Sequence, residues 1–481
     1  MSTDWHVVIG LEVHAQLTTE SKLFSRAATR YGARPNEQSS YVDCALPGTL
    51  PVLNREAVKQ AIRFGIATHS TIQERISFDR KNYFYPDLPK GYQITQHYRP
   101  ILIGGQIDID TDEGAKRIHI HHSHLEEDAG KSNHEYSPTA TGIDLNRAGM
   151  PLLEIVSEPE MRSPKEAVAY IKALHKLIVF LEICDGNMQE GSMRVDVNIS
   201  LRKSEDAPFG TKVEIKNINS FKFVEKALNY EIMRQADILE SGGAIVQETR
   251  LFNESTGQTE YMRGKEDAHD YRYHKDPDIP YIDIDEDTIE QIRQNMPESP
   301  QEKQKRYSDD LKLSDYDARV ISHDKDYATL FDTVINEDCC QAKTLANWIL
   351  GPISEQSNKS STTFHDCPIT IKQLAKLLSM LEHNKISNNN AKVIFEKMWS
   401  NGDNPEDIIK SEGLEEINDI EKITAIIDDV LHANPKQVEQ FLNGNHKLIG
   451  FFVGQVMKQG QGKVNPKVVN DILKTALDKR K

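Results

Sequence analysis

The segment IHIHHSHLEEDAGK, Ile118 to Lys131, crowds His119, His121, His122 and His124 against Glu126, Glu127, Asp128 and Lys131. Imidazoles beside carboxylates can hold a metal ion, receive an anion or merely decorate an exposed strand, and local spacing does not choose among these. Zinc is conceivable, but structural zinc sites draw on cysteines or on helical HxxxH spacing, and the segment has neither. Alternation through RIHIHH instead predicts a strand whose end delivers Glu126, Glu127 and Asp128 to one charged face.

Three further runs carry charge on one side of a strand. In WHVVIGLEVHAQL the odd positions from Trp5 to Leu17 are all apolar, which leaves Glu12, His14 and Gln16 on the opposite face. SMRVDVNISLR sets Met193, Val195, Val197, Ile199 and Leu201 against Arg194, Asp196, Asn198 and Arg202, and TKVEIK sets Val213 and Ile215 against Lys212, Glu214 and Lys216. Any one such face is what a solvated antiparallel sheet shows. Gathered in one sheet, short acids interleaved with Lys and Arg would suit a polyphosphate held through divalent cations. Mg²⁺ prefers oxygen ligands, and His14 would also admit Mn²⁺.

The segment FDRKNYFYPDLPKGYQITQ packs Arg80, Lys81 and Lys90 among Tyr83, Phe84, Tyr85 and Tyr92. It suits phosphate neutralisation with base stacking, or equally a surface loop whose rings turn into the core. Arg250, Arg272, His274 and Lys275 add cationic residues in settings that read as irregular. No P-loop, GxGxxG turn or GxSxG elbow is present, so neither a covalent nucleophile nor a common nucleotide fold is expected.

These residues need a scaffold, and 481 residues suffice for two or three domains. Roughly the first 290 residues alternate β-patterned runs with a few helices, and the remainder is helical with polar linkers. Breaks at QNMPESPQEK and SNGDNPED divide the chain into an α+β domain over 1–295, a helical domain over 296–406 and a tail over 407–481. One helix opens at Ser163 with Pro164 next and Glu166 as the partner of a capping box; another ends on Gly242 and Gly243.

No run approaches the roughly 18 apolar residues of a membrane helix, and the N-terminus lacks a basic signal region, so a cytoplasmic protein with no membrane partner is expected. The five cysteines form no CxxC pair, and adjacent Cys339 and Cys340 cannot easily bridge or share a metal, so reduced thiols are expected. The net charge of −16 hides an asymmetry: Asn401–Leu431 balances to −8, with ten acids and two lysines, while His446–Lys481 balances to +6. A basic end after an acidic stretch suits a polyanionic partner, or is simply a solvated helix end.

The segments IGLEVHAQL, FDRKNYFYPDLPKGYQITQ, HLEEDAGK, DLNRAGMPLLEIVSEP, GSMRVDVNISLR, KNINSF and DYRYHKDPDIP, in that order, closely resemble the B-subunit family of the aspartyl/glutamyl-tRNA amidotransferases. The resemblance implies an antiparallel-sheet cradle similar to glutamine synthetase, then an all-α domain and a YqeY-like tail. It implies partners too: an amidase-type A subunit, a small C subunit, plus misacylated tRNA, whose outer body the basic tail would meet. The implied reaction is ATP-dependent phosphorylation of the side-chain carboxylate of Glu or Asp on that tRNA, then displacement of phosphate by ammonia released in the amidase-type partner.

The resemblance further implies Glu12, His14, Glu127, Glu154, Asp196 and Glu214 as ligands of Mg²⁺ or Mn²⁺. Five of these lie on strands or strand ends already singled out by parity, and Glu154 rests on the resemblance alone. Lys81, Lys131 and Arg194 are the expected partners of ATP phosphates, with Glu127, Lys81 and Arg194 at the reacting groups. Many relatives carry a zinc knuckle near the N-terminus; here Ser25 and Ala27 stand at the first cysteine pair and Cys44 is displaced from the second, so no structural zinc is expected. His119, His121 and His122 are unusual for the family segment and have no assigned role. Two rival classes remain: a ligase acting on a free amino acid, and a non-catalytic tRNA-binding scaffold.

Overall fold

The computed structural model describes residues 5–478 except 113, 265–269, 384, 414–419, 461–463 and 465. The chain divides into two compact units, Met1–Pro297 and Glu298–Lys481.

The first unit is built on a ten-stranded sheet. Its principal strands are β1 (His6–Gln16), β4 (Gly114–Glu127), β5 (Pro151–Ser157), β6 (Met193–Arg202), β7 (Val213–Ile218), β8 (Glu248–Asn253) and β9 (Gln258–Gly264). Their order is β9-β8-β7-β6-β1-β5-β4, followed by two short strands, Leu102–Ile103 and Thr71–Ile72, while Gln106–Thr111 also pairs with β4. Pairing is antiparallel except between β7 and β8. The sheet is therefore mixed, where a purely antiparallel cradle was expected: helix Phe221–Glu240 carries the chain back between β7 and β8, and only such a crossover permits a parallel pair.

One face of the sheet is core. Ile9, Leu11, Val13 and Ala15 of β1 are buried with Met193, Val195, Val197 and Ile199 of β6, as their alternation requires. Helix Pro164–Phe180 covers them with Tyr170, Ile171, Leu174 and Ile178, and Phe221–Glu240 with Val224, Ala227 and Leu228. Ser163 caps the first by accepting the Glu166 N–H, but the reciprocal bond differs from the expected box: the Glu166 carboxylate takes the Arg162 N–H (2.8 Å) and the Lys116 ammonium (2.7 Å). Gly242, at φ +81°, supplies the left-handed residue after Phe221–Glu240.

A small three-stranded sheet joins β2 (Asp79–Asn82), β3 (Tyr92–Thr95) and His274–Lys275. It is tied to the end of β4 by Gln93 Nε2 donating to the Glu127 carbonyl at 2.7 Å and by the Leu125 N–H donating to Gln96 at 2.9 Å.

The second unit is helical, with one core around Tyr307, Phe331, Trp348 and Phe395 and another around Ile427, Phe452, Val456 and Leu473. Glu415, Glu416 and Asp419 of the acidic stretch, and Lys463 and Lys479–Lys481 of the basic end, lie outside the described residues. Among the described residues no helix is long and apolar enough to cross a membrane. All five cysteines are free thiols.

Candidate active site on the open face of the sheet

Register places the polar residues of five strands side by side. His124, Glu154, His14 and Arg194 form one row across β4, β5, β1 and β6; Glu12 lies beside Asp196, and Asn198 beside Glu214. Two groups result, His14 with Glu126 and Glu154, and Glu12 with Asp196 and Glu214, each offering ligand atoms within 4.8 Å of one another.

In the first group His14 Nε2 stands 3.2 Å from Glu154 and 3.5 Å from Glu126, and His124 Nε2 stands 3.4 and 3.6 Å from the same two acids. Burial alone would lower the His14 imidazole, but Glu154 and Glu126 raise it to about 9. His124 is raised for the same reason. Reciprocally, the two imidazoles hold the Glu154 carboxyl far below its ordinary range in spite of burial.

The second group is neutralised differently. Asn198 Nδ2 donates to Glu12 at 2.9 Å, the Lys216 ammonium lies 2.6 Å from Asp196 and 3.1 Å from Glu214, and the Thr249 hydroxyl donates to Glu214 at 2.8 Å. Burial, then Glu154, pushes the Glu12 carboxyl up, whereas Lys216 and Thr249 hold Glu214 down against burial. Beside this group opens a pocket bordered by Lys212, Thr249, Arg263 and Tyr271.

Five of the six expected ligands thus lie in two groups, and the sixth lies in neither. Glu127 joins neither group: it is buried, accepts the Lys90 ammonium and the Ile94 N–H (2.9 Å), and its carboxyl is raised by burial. Glu126 stands in the first group instead. The cause is a β-bulge, because the β4–β5 register shifts between Val156 and Ser157, opposite His122 and Ile120. Upstream of it the even residues Ile118 and Ile120 face the core; downstream the odd residue Leu125 does. That change of apolar parity is written in IHIHHSHL and was the available signal for Glu126.

Among the expected phosphate partners, Arg194 donates to Asp128 at 3.0 Å. The Lys81 ammonium lies 4.9 Å from the Tyr271 ring centroid, and Glu126 among other groups raises it against burial. Lys131 is exposed on a separate hairpin and makes no ion pair with either group. Arg250, read as irregular, lies in β8 and is committed to Glu248 at 2.7 Å. Arg80 is likewise committed to Asp276 and Asp278, and its guanidinium covers Tyr92. Phe84 and Tyr85 point outward, 86% and 56% exposed. His119 pairs with Glu160, while His122 contacts His121 (2.7 Å) and stacks on His124.

The donor chemistry fits hard divalent cations: three carboxylates in one group, two and an imidazole in the other, none contributed by sulfur. The Asn198 carbonyl oxygen, buried beside Glu12, has no hydrogen-bond partner among the described residues.

Residues 7–290 match the GatB/GatE catalytic domain, and residues 329–477 match a second model described as the GatB domain. Relatives named as B subunits of aspartyl/glutamyl-tRNA(Asn/Gln) amidotransferase are similar end to end. The one from Alkalilimnicola ehrlichii is 52% identical over 99% of this chain and all of its own length, and that from Coxiella burnetii 51% over 98% and all of its own. The protein from Halorhodospira halophila is 50% identical over 98% of this chain and 99% of its own. With that coverage at half identity, the chain belongs to the GatB family, the B subunits of the aspartyl/glutamyl-tRNA amidotransferases.

Proposed function

We propose that this chain is the component of a tRNA-dependent amidotransferase that activates and amidates the side-chain carboxylate of Glu-tRNA(Gln), Asp-tRNA(Asn) or both. The observation that carries the site assignment is the pair of adjoining acid groups on one sheet face. A carboxylate is a poor acyl donor because oxide would have to leave. Its oxygen therefore attacks the γ-phosphorus of ATP, the bond to ADP breaks, and an acyl phosphate forms. Ammonia then attacks the carbonyl carbon, the carbon–oxygen bond breaks, and inorganic phosphate departs with the surplus proton.

Glu12, Asp196 and Glu214 would hold one Mg²⁺ or Mn²⁺, and His14, Glu126 and Glu154 a second. Bound there, the ions would neutralise phosphate oxygens as charge moves between the nucleotide and the substrate. Lys81 and Arg194 would contact phosphate oxygens from the flanks; Lys131 would reach only a nucleotide that extends to its hairpin. Positioning and neutralisation supply most of the catalysis.

The kinship of the sheet with glutamine synthetase belongs to the same reading and is supported by its acid-lined, largely antiparallel face. So do a cytoplasmic heterotrimer with an amidase-type A subunit plus a small C subunit, and contact of the basic tail with tRNA phosphates. That contact would weaken steeply with salt.

The test is ATP- and ammonia-dependent conversion of glutamyl-tRNA to glutaminyl-tRNA by the reconstituted complex. Glu126→Gln should lower the rate by about 100-fold or more with tRNA binding retained. A wild-type rate in that variant would leave the acid face a solvated surface and the chain a scaffold. Glu127→Gln should act through stability, since it leaves the half-buried Lys90 ammonium without its counter-charge.

A further inference from the structure

Lys216 does more than neutralise its neighbours. Of the six carboxylate oxygens of Glu12, Asp196 and Glu214, Lys216 occupies one on Asp196 and one on Glu214, Thr249 takes the second of Glu214, and Asn198 takes one of Glu12. Both Glu214 oxygens are therefore taken, so a divalent cation bridging the three acids must displace a donor there, while on Asp196 it could use only the oxygen beside the one that Lys216 holds. The ammonium and the cation would then stand a few ångströms apart, with like charge and shared ligands, so they compete.

The backbone shows that Lys216 is aimed at this spot. Between the β6–β7 pairs Val195–Ile218 and Val197–Ile215, one residue, Asp196, faces two, Lys216 and Asn217. Asn217 absorbs the extra length in the left-handed region at φ +65°. The register that pairs Val197 with Ile215 and Asn198 with Glu214 sets Lys216 across from Asp196 before the bulge begins, and its side chain remains 30% exposed, on a long stem able to swing.

We propose that Lys216 is an exchangeable counter-ion: a divalent cation displaces its ammonium from Asp196 and Glu214, and the released ammonium then binds a phosphate oxygen of the incoming nucleoside triphosphate. The pocket bordered by Lys212, Arg263 and Tyr271 lies beside Glu214 and gives those phosphates cationic surroundings. The coupling orders events, since a lysine held by two carboxylates offers nothing to phosphate until the metal arrives. The exchange rests on the metal assignment made above.

The experiment uses the reconstituted complex and measures acetylation of Lys216 by acetic anhydride, read by peptide mass spectrometry, with Mn²⁺ binding followed by electron paramagnetic resonance. Mn²⁺ should raise Lys216 acetylation severalfold, and a β,γ-imido analogue of ATP should lower it again. Lys216→Met should bind Mn²⁺ about tenfold more tightly without nucleotide, while Lys216→Arg, which keeps the competitor, should not. Acetylation that Mn²⁺ leaves unchanged or lowers would overturn the exchange in wild-type protein, whatever the variants do. Asp196→Asn separates the two failures: if it lowers Mn²⁺ stoichiometry while Lys216 stays unresponsive, the metal assignment stands and the exchange falls. If it leaves Mn²⁺ binding intact, both fall.

Discussion

Two dense charge clusters, one in each unit, differ in how they are balanced. In the helical unit Asp332 accepts the Lys303 ammonium, the Arg306 guanidinium at 2.9 Å and the Tyr307 hydroxyl at 2.9 Å, and Arg306 also grips Glu298 at 2.7 Å. Two acids there meet two cations, and a buried hydroxyl completes the set. On the sheet face of the first unit, Glu12, Asp196 and Glu214 share one ammonium, while Glu126 and Glu154 share two imidazoles. A cluster that satisfies itself is a staple between helices. One that gathers more negative charge than its own side chains neutralise costs folding free energy and is poised for a cation.

The largest effect should come from breaking the balanced cluster. Asp332→Ala strands the Lys303 ammonium and the hydroxyl of fully buried Tyr307, and leaves Arg306 with Glu298 alone. It should destabilise the helical unit by about 3 kcal/mol, the low end for a broken buried pair because the Asp332 side chain keeps 23% exposure. Trp348 and Trp399 lie in this unit, and Trp5 is the sole other tryptophan, so urea unfolding followed by fluorescence reads it directly. An unchanged midpoint would make this cluster no more structural than the acid face.

Acid should reproduce part of that loss. Burial alone would raise the Asp332 carboxyl, but hydrogen bonds from Lys303, Arg306 and Tyr307 hold it below the ordinary aspartate value. A carboxyl depressed in the folded state contributes stability that is complete above the unfolded value and is lost as pH falls through the folded one. Wild-type stability should therefore fall below about pH 4, and Asp332→Asn should flatten that slope. An equal slope in both would assign the acid sensitivity to other groups.

The two clusters were not equally legible. Strand parity brings Glu12, His14, Asp196 and Glu214 to one face because β1, β6 and β7 alternate without interruption over the residues concerned. It fails on β4, where the bulge exchanges Glu126 for Glu127, and a bulge costs only one residue of sequence to insert. It is silent on Glu154, whose own face also carries Leu152 and Val156, so β5 reads as apolar on both sides. The parallel β7–β8 pair and the Asp332 cluster depend on which distant elements meet, and no local period encodes that.

The smallest effect sharpens the comparison most, because its sign is unusual. Burial and the charges of Glu154 and Glu214 raise the Glu12 carboxyl, so its ionised form opposes folding once pH exceeds that raised value. Glu12→Gln keeps an oxygen for the Asn198 amide and removes one of the crowded charges. In protein stripped with chelator, the variant should be the more stable by about 1 kcal/mol in thermal unfolding, even though it should lose amidation of tRNA. Saturating Mg²⁺ should reverse the order, because binding stabilises only the chain that holds the ion tightly. A chelated wild type more stable than Glu12→Gln would mean that the open face is as well balanced as the Asp332 cluster. Its acids would then be ordinary surface charge.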